Sequence, residues 1–397
     1  MLENKNAFYF AEGVSMKTRA AILWEPHTEW SVEDIELDPP KRGELLVKLA
    51  ASGLCHSDEH MVTGDMVLDP ELAEAFGLKQ FPVIGGHEGA GVVQEVGPDT
   101  VGFEVGDHVV FSFIPSCGKC PSCSKGQQHL CDLGAFLLSG MQLSDFSYRH
   151  HAKDGRDLGI MVGLGTFAPY TVVNVDSAVK IDKSIPLEKA ALVGCGVTTG
   201  WGSATYAADV RAGETVVVVG IGGIGMSAVQ GAAMAGARHV VAIDPVAWKR
   251  EKSLTLGATH TATSMEEAQP LISELTQGAM ADKAILAVGL ATGDLIAPMM
   301  SLVKKAGRGV VTAVANMMAD EVRLNLFEMS MMRKELVGCI FGNANPRYDI
   351  PRLLDLYMEG RLKLDEMVTT EYTLDEINQG YQDMRDGKNI RGLIRYE

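Results

Sequence analysis

The chain has 397 residues, enough for two or three domains of about 150 residues each. Apolar residues make up 46% and charged residues 22%, which excludes a disordered chain and suits a soluble enzyme. Asp and Glu number 51 against 35 Lys and Arg, and the net charge of −16 excludes nucleic acid or an anionic membrane as the main partner, leaving an anionic ligand only a locally basic pocket.

Residues 1–15 lack the basic start and apolar run of a secretory signal, and no role is assigned to them. No run of 18 apolar residues occurs, so no transmembrane helix is expected and a cytoplasmic location follows by default. From Met16 to about residue 115 the pattern is short, alternating and β-rich (AAILW, ELLVKLAASG, GAGVVQEVG, GDHVVFSF), with Gly-rich turns. This predicts a compact antiparallel, partly barrel-like lobe, interrupted by a short helix at 70–77. Residues 132–165 read as a long excursion before FAPYTVV resumes strand character. His129, just before it, and His150 and His151 on it read as solvated loop residues rather than a third metal site. After residue 196 continuous apolar runs appear at 215–220, 239–244, 284–289, 309–314 and 336–341. Helical periods separate most of them, which predicts an α/β, doubly wound parallel sheet buried on both faces. Cys339 falls in the last of these runs and is expected to be buried and inert. Met331 and Met332 read as core or interface. A helix at IPRLLDLYMEG follows, and RGLIRYE is expected to return as a strand to the first lobe.

Four of the seven cysteines, Cys117, Cys120, Cys123 and Cys131, lie in the pattern C-x2-C-x2-C-x7-C. Small, turn-prone residues separate them, so one loop can present four thiolates tetrahedrally around a structural zinc. A bacterial ferredoxin run begins alike but has its fourth Cys after three residues and before Pro; here it comes after seven and before Asp132. Four thiolates leave no open coordination position, so this metal should hold structure and do no chemistry.

The run VVVVGIGGIG contains Gly220-x-Gly222-x-x-Gly225, with Gly223 and Ile224 between. It follows a predicted strand, opens a predicted helix, and has Asp244 nineteen residues after Gly225 at the end of the next strand. That context marks a dinucleotide site. The helix N-terminus favours the pyrophosphate, and Asp244 favours NAD over NADP by accepting ribose hydroxyls and repelling a 2′-phosphate. Lys249 and Arg250 follow closely enough to weaken that preference.

The remaining pattern is dispersed: GLCHSD with Cys55, GGHEG with His87, and GCG with Cys195. Two thiolates and one imidazole form a catalytic zinc set that keeps a fourth position open. In order, GLCHSD, GGHEGAG, the four-cysteine lobe, the Cys195 segment and GIGGIG resemble the zinc-dependent alcohol dehydrogenases of the medium-chain dehydrogenase/reductase superfamily. The texture is most similar to the actinobacterial alcohol dehydrogenases that hold NAD tightly and are assayed with N,N-dimethyl-4-nitrosoaniline. The resemblance implies a GroES-like catalytic domain (1–196 and 341–397), carrying the structural zinc lobe at 117–131, and a Rossmann coenzyme domain (197–340).

The resemblance also assigns roles. Cys55, His87 and Cys195 match the catalytic zinc ligands, Glu88 a carboxylate beside the metal, and Asp58 the partner that orients a ligand imidazole. Ser57 and His60 match a proton relay. His56, Thr199, Lys249 and Arg391 match coenzyme contacts. It implies NAD and two zinc ions per chain, a small alcohol or aldehyde as substrate, and a homodimer or homotetramer. Two other readings are a glutathione- or mycothiol-linked formaldehyde dehydrogenase, disfavoured by the acidic balance, and a non-catalytic NAD-binding protein, disfavoured by the intact ligand set.

Overall fold

The computed structural model describes residues 15–75 and 78–397, so the reading of residues 1–14 and the end of the expected 70–77 helix lie outside it. The first part of the chain gives strands β1 (Met16–Leu23), β2 (Ser31–Leu37), β3 (Glu44–Gly53), β4 (Val83–Ile84), β5 (Glu88–Val96), β6 (His108–Phe111), β7 (His150–Ala152), β8 (Asp157–Ile160), β9 (Tyr170–Asn174) and β10 (Ala178–Ile181). The second gives β11 (Thr215–Val219), β12 (His239–Ile243), β13 (His260–Ala262), β14 (Ala281–Leu286), β15 (Val303–Val311) and β16 (Glu335–Gly338). The C-terminal segment adds β17 (Val368–Tyr372) and β18 (Arg391–Arg395).

Strands β1-β2-β7-β8-β4 close into a barrel, and a second sheet runs β10-β6-β5-β3-β18-β17 with β9 also on β3. The expected return of the C-terminus occurs: Leu393 of β18 pairs with Gly53 of β3. Two expectations are corrected here. The 132–165 excursion is not a plain loop, since it supplies β7 and β8 to the barrel, and the lobe is not wholly antiparallel, since β4 and β8 are parallel. His150 and His151 accordingly sit in a strand and not on a solvated loop. Alternate residues of β7 face in, so His150 is 1% exposed, while His151 is half-buried between Asp38 and Asp157. His129 lies in a short 3-10 turn, half-buried.

The other sheet has the order β13-β12-β11-β14-β15-β16, all parallel, with the strand order reversing beside β11. That is the doubly wound arrangement in which ligands bind beyond the carboxyl ends of the strands. Both faces of β11 are buried: Val217 and Val219 pack into one apolar cluster and Val216 and Val218 into another. This is why the strand reads as an unbroken apolar run. Cys339 lies just past β16, half-buried with its Sγ 3.4 Å from Ser203 Oγ, rather than in the strand. Burial pushes its thiol above the ordinary range. Met331 (67% exposed) and Met332 are not core residues.

Candidate active site

Sheet register brings the dispersed ligands together. Gly53, at the end of β3, pairs with Glu88, at the start of β5, so Cys55 and His87 leave neighbouring strand ends. Cys195 arrives from a third direction, just before the helix Gly196–Gly202. Gly194 permits this approach, because a Cβ there would collide with the Phe111 carbonyl. The Cys55 and Cys195 sulfurs, a His87 nitrogen and a Glu88 oxygen all lie within 4.8 Å of one another, and all four residues are buried.

The electrostatics suit a cation. The contact between the two thiols holds Cys55 well below the usual thiol range and Cys195 well above it. Burial pulls His87 down, but Asp58 and Cys55 outweigh it and hold the imidazole above its usual range. Asp58 Oδ2 lies 3.0 Å from His87 Nδ1, close but poorly aligned for a hydrogen bond, and Asp58 Oδ1 accepts from Gly86 N at 2.7 Å. His87 Nε2 is buried with no hydrogen-bond partner. An orphaned imidazole nitrogen facing two thiols is a donor set that fits zinc. Behind it, Glu88 makes a short ion pair with Arg391 of β18 and accepts from Gly196 N at 3.0 Å. Burial nevertheless raises the Glu88 carboxyl to about 7, against the pull of Arg391.

The ligand group meets a cavity of about 510 Å³ at Cys55. His56, Ser57 and His60 wall it on one side, and residues 220–224, Asp244, Lys249 and Arg391 on the other. The positive groups expected of an anion pocket in an acidic chain are therefore gathered here. The glycine turn behaves as its spacing requires. Gly220 adopts φ +88° against the Ala287 backbone, a Cβ on Gly225 would strike the Gly220 carbonyl, and a Cβ on Gly222 would meet nothing within 4 Å. The open face at Gly222 and the uncapped start of the helix Gly223–Met234 leave backbone N–H groups for an anion, which fits a dinucleotide. Asp244 accepts from Ile221 N and Val246 N, both at 2.8 Å. Arg250 is held by the backbone carbonyls of Asp244 and Pro245, and Lys249 alone of the two basic residues lines the cavity. His56 opens to the cleft, yet protein surrounds it on most sides, and this burial, with His60 and Lys249 nearby, draws its imidazole to about 4. Thr199 does not line the cavity; its hydroxyl is buried without a partner.

Cys117, Cys120, Cys123 and Cys131 also bring their sulfurs within 4.8 Å of one another. Sulfur separations of 3.9 and 4.0 Å exclude disulfides, and a tetrahedron of zinc–sulfur bonds of about 2.3 Å has edges of roughly 3.8 Å. Backbone N–H groups of Asp132 and Cys123 draw the Cys120 thiol down to about 7, while burial pushes Cys131 up to about 12.

Some site residues have no local signal. Glu88 and Arg391 are 303 positions apart, so no motif announces their pairing. Asp65 and Asn316, which meet beside His60, were also missed; the only hint was an acid in a Thr-Gly-Asp turn just beyond a helix.

Residues 41–183 match the alcohol dehydrogenase GroES-like domain, and residues 223–359 match the zinc-binding dehydrogenase family. The chain is 51% identical over 381 residues to alcohol dehydrogenase B of Mycobacterium tuberculosis, covering 96% of this chain and 99% of that protein. It is 50% identical, with the same coverage, to the NDMA-dependent alcohol dehydrogenase of Amycolatopsis methanolica. Among solved structures, an alcohol dehydrogenase zinc-binding domain protein from Burkholderia ambifaria superposes with a TM-score of 0.87 at 29% identity, covering 96% and 100% of the two chains. Benzyl alcohol dehydrogenase from Acinetobacter calcoaceticus gives 0.83 at 26% identity, with the same coverage. Among the described residues no helix is long and apolar enough to cross a membrane. The chain belongs to the zinc-dependent alcohol dehydrogenases of the medium-chain dehydrogenase/reductase superfamily.

Proposed function

We propose that this chain interconverts an alcohol and its aldehyde or ketone with NAD, in the cleft between a catalytic domain (1–196 and 341–397) and a coenzyme domain (197–340). Supporting the division, the barrel and the β3 sheet draw their strands from residues 16–181 and 368–395, and the parallel sheet from 215–338. The observation that carries the reading is the buried Cys55, His87 and Cys195 group opening onto a cavity that also holds the glycine turn and Asp244.

Cys55, His87 and Cys195 would hold one zinc and the four thiols of 117–131 another; bound there, the first supplies Lewis acidity toward a hydroxyl oxygen, and bound NAD supplies the hydride acceptor. Asp58 turns the His87 ring so that Nε2 faces the two sulfurs. Ser57, whose hydroxyl is 3.9 Å from Cys55 Sγ, is placed to pass on a substrate hydroxyl proton, and His60, one helical turn further on, is the imidazole that takes it. Arg391, beside Gly223, and the free N–H groups at 222–224 hold the pyrophosphate. Asp244 holds the ribose hydroxyls, and because Arg250 is occupied elsewhere its charge disfavours NADP.

Two finer points complete the reading. NAD is retained as a bound group: Trp248 Nε1 donates to the Gly387 carbonyl at 3.1 Å, a tie between the parallel-sheet segment and the C-terminal segment, and Gly387 itself and Lys249, which follows Trp248, wall the cavity. The chain acts in the cytoplasm as a homodimer or homotetramer; assembly is supported by exposed Leu326, Phe327 and Met331 in the helix that precedes β16 in the chain. Native mass spectrometry tests these points together. The expected subunit carries two zinc ions and one dinucleotide within a dimer or tetramer. A subunit with a single zinc would sink the site assignment, and one that binds NAD only when it is added would sink retention. Turnover without added thiol separates this activity from a thiol-adduct dehydrogenase.

A further inference from the structure

The cleft is tied across at both ends. At the Asp244 end the tie is the bond from Trp248 to the Gly387 carbonyl. At the Cys55 end it is built by the helix His56–Val62 and the turn that follows it. His60 Nε2 donates to the carbonyl of Gly289 at 2.9 Å, a carbonyl being able only to accept. A Cβ on Gly289 would stand 3.1 Å from His56 Nε2, so the same helix packs closely on that glycine. Beyond it, Asp65 receives two bonds from the opposite wall: Asn316 Nδ2 donates to its Oδ1 at 3.1 Å, and Met317 N to its carbonyl at 3.0 Å. Thr63 Oγ1 steadies the carboxylate from its own side, donating to Oδ2 at 2.6 Å. Thr63 and Asn316 hold the Asp65 carboxyl below the usual carboxylate range, against the opposing pull of burial. The bond from Asn316 is therefore made to a charged acceptor, which strengthens it. Gly289 and residues 316–317 lie beyond the carboxyl ends of β14 and β15, where an open parallel sheet takes its ligand. His56, His60 and Gly289 wall the cavity, whereas Asp65 and Asn316 stand outside it and join its two sides.

We infer that Asp65 and Asn316 form a clamp across the cleft that governs how fast the dinucleotide enters and leaves. A dinucleotide lying between the two walls departs only when they part, and the Asp65–Asn316 bond must break for that to happen. The inference rests on the reading of the cavity as a dinucleotide site and deepens the reading that NAD is retained. It uses the His60 ring only as a donor and asks nothing of the proton relay. It also gives retention a definite character. The clamp residues touch the protein's own walls and not the cavity, so they hold the cleft shut equally with and without its occupant. Loosening them should speed association and dissociation together and leave the equilibrium affinity nearly unchanged, whereas the loss of a direct contact to the dinucleotide would act mainly on dissociation and weaken the affinity by the same factor.

The test follows radiolabelled NAD on the holoenzyme. Its dissociation rate is read by chasing the label with excess unlabelled NAD, and its Kd by dialysing the same protein to equilibrium against graded NAD. Asp65→Ala should raise the dissociation rate roughly ten- to a hundredfold while Kd stays within about threefold, since a hydrogen bond to a charged group is lost from the closed cleft. Asn316→Ala should raise it about three- to tenfold, and it carries the test should Asp65→Ala not fold. Asp65→Asn, which keeps an oxygen for Asn316 Nδ2 without the charge, should fall between Asp65→Ala and the native chain. The double variant Asp65→Ala with Asn316→Ala should release label no faster than Asp65→Ala alone, because the two residues share one bond. Native dissociation rates in variants that keep both zinc ions would overturn the inference. So would a Kd that rises as much as the dissociation rate, which would make these residues supports of the binding surface rather than a clamp. A native chain that exchanges its label within seconds would sink retention instead, while the ratio of variant to native rates would still decide the clamp.

Discussion

The four thiols of the 117–131 lobe come from consecutive turns of one loop, whereas Cys55, His87 and Cys195 come from two strand ends and a helix start. In the lobe, local backbone aims the sulfurs: Cys120 N and Cys123 N donate to the sulfur three residues earlier at 3.4 Å, and Asp132 N donates to Cys120 Sγ. In the cleft, the pairing of Gly53 with Glu88 and the packing of Gly194 on Phe111 do that work, so the site exists only once the sheet has formed. The two sites also differ in what they leave open. Four equivalent thiols close a tetrahedron, while two thiols and an imidazole leave a position beside the cavity. A loop can build a staple by itself; a reaction centre with an open side needs walls from several parts of the fold.

The largest effect should come from His87→Ala. Removing the orphaned Nε2 should leave one zinc per chain instead of two and lower turnover by at least about a thousandfold, with the melting temperature little changed. Metal analysis and kinetics on the same sample check this. Two zinc ions with retained turnover would erase the distinction between the sites.

Cys120→Ser should do the reverse. It should also remove one zinc, but the loss should appear as a fall in melting temperature of about 5–10 °C, with turnover of the folded fraction within about twofold. Calorimetry beside kinetics decides it. A large fall in turnover at unchanged stability would show that the lobe takes part in the reaction.

The same contrast explains what could be read from the residues alone. The four-cysteine spacing, the glycine turn and the apolar runs of the parallel sheet are local signals, and each is found where its spacing places it. Cys55, His87 and Cys195 were isolated residues until a family resemblance joined them; nothing in their own surroundings fixes them together. The Glu88–Arg391 pair and the Asp65 clamp depend on strand order and on the approach of distant segments, which leave no periodicity to detect. The 132–165 stretch misleads for a related reason. Its strands are three and four residues long, too short for alternation to stand out. His150 looked like a loop residue because two histidines in a polar stretch resemble solvent-facing chain, yet the barrel closes over one of them.

That buried histidine supplies the smallest effect, and one that separates either metal site from the scaffold. Burial draws the His150 imidazole from 6.5 to about 3, aided by neighbouring His151 and Arg149 and opposed by Asp38. Its Nε2 meets the Thr171 hydroxyl at 3.4 Å. With the folded value depressed, the unfolded chain takes up a proton below pH 6.5 that the folded chain refuses until about pH 3, so stability is lost as pH falls through that window. The full loss is on the order of 5 kcal/mol, and about 2 kcal/mol of it should fall between pH 6.5 and 5. Acid also protonates thiolates and releases metal, so the effect must be read as a difference between two proteins that share both sites. His150→Gln keeps a polar end toward Thr171 and cannot titrate. It should be less stable than the native chain by about 1 kcal/mol at pH 8. By pH 5 that deficit should shrink or reverse, because only the native chain suffers the histidine penalty. A deficit that stays constant from pH 8 to 5 would mean that His150 can be protonated in place, and that the acid sensitivity of this molecule belongs to its metal sites alone.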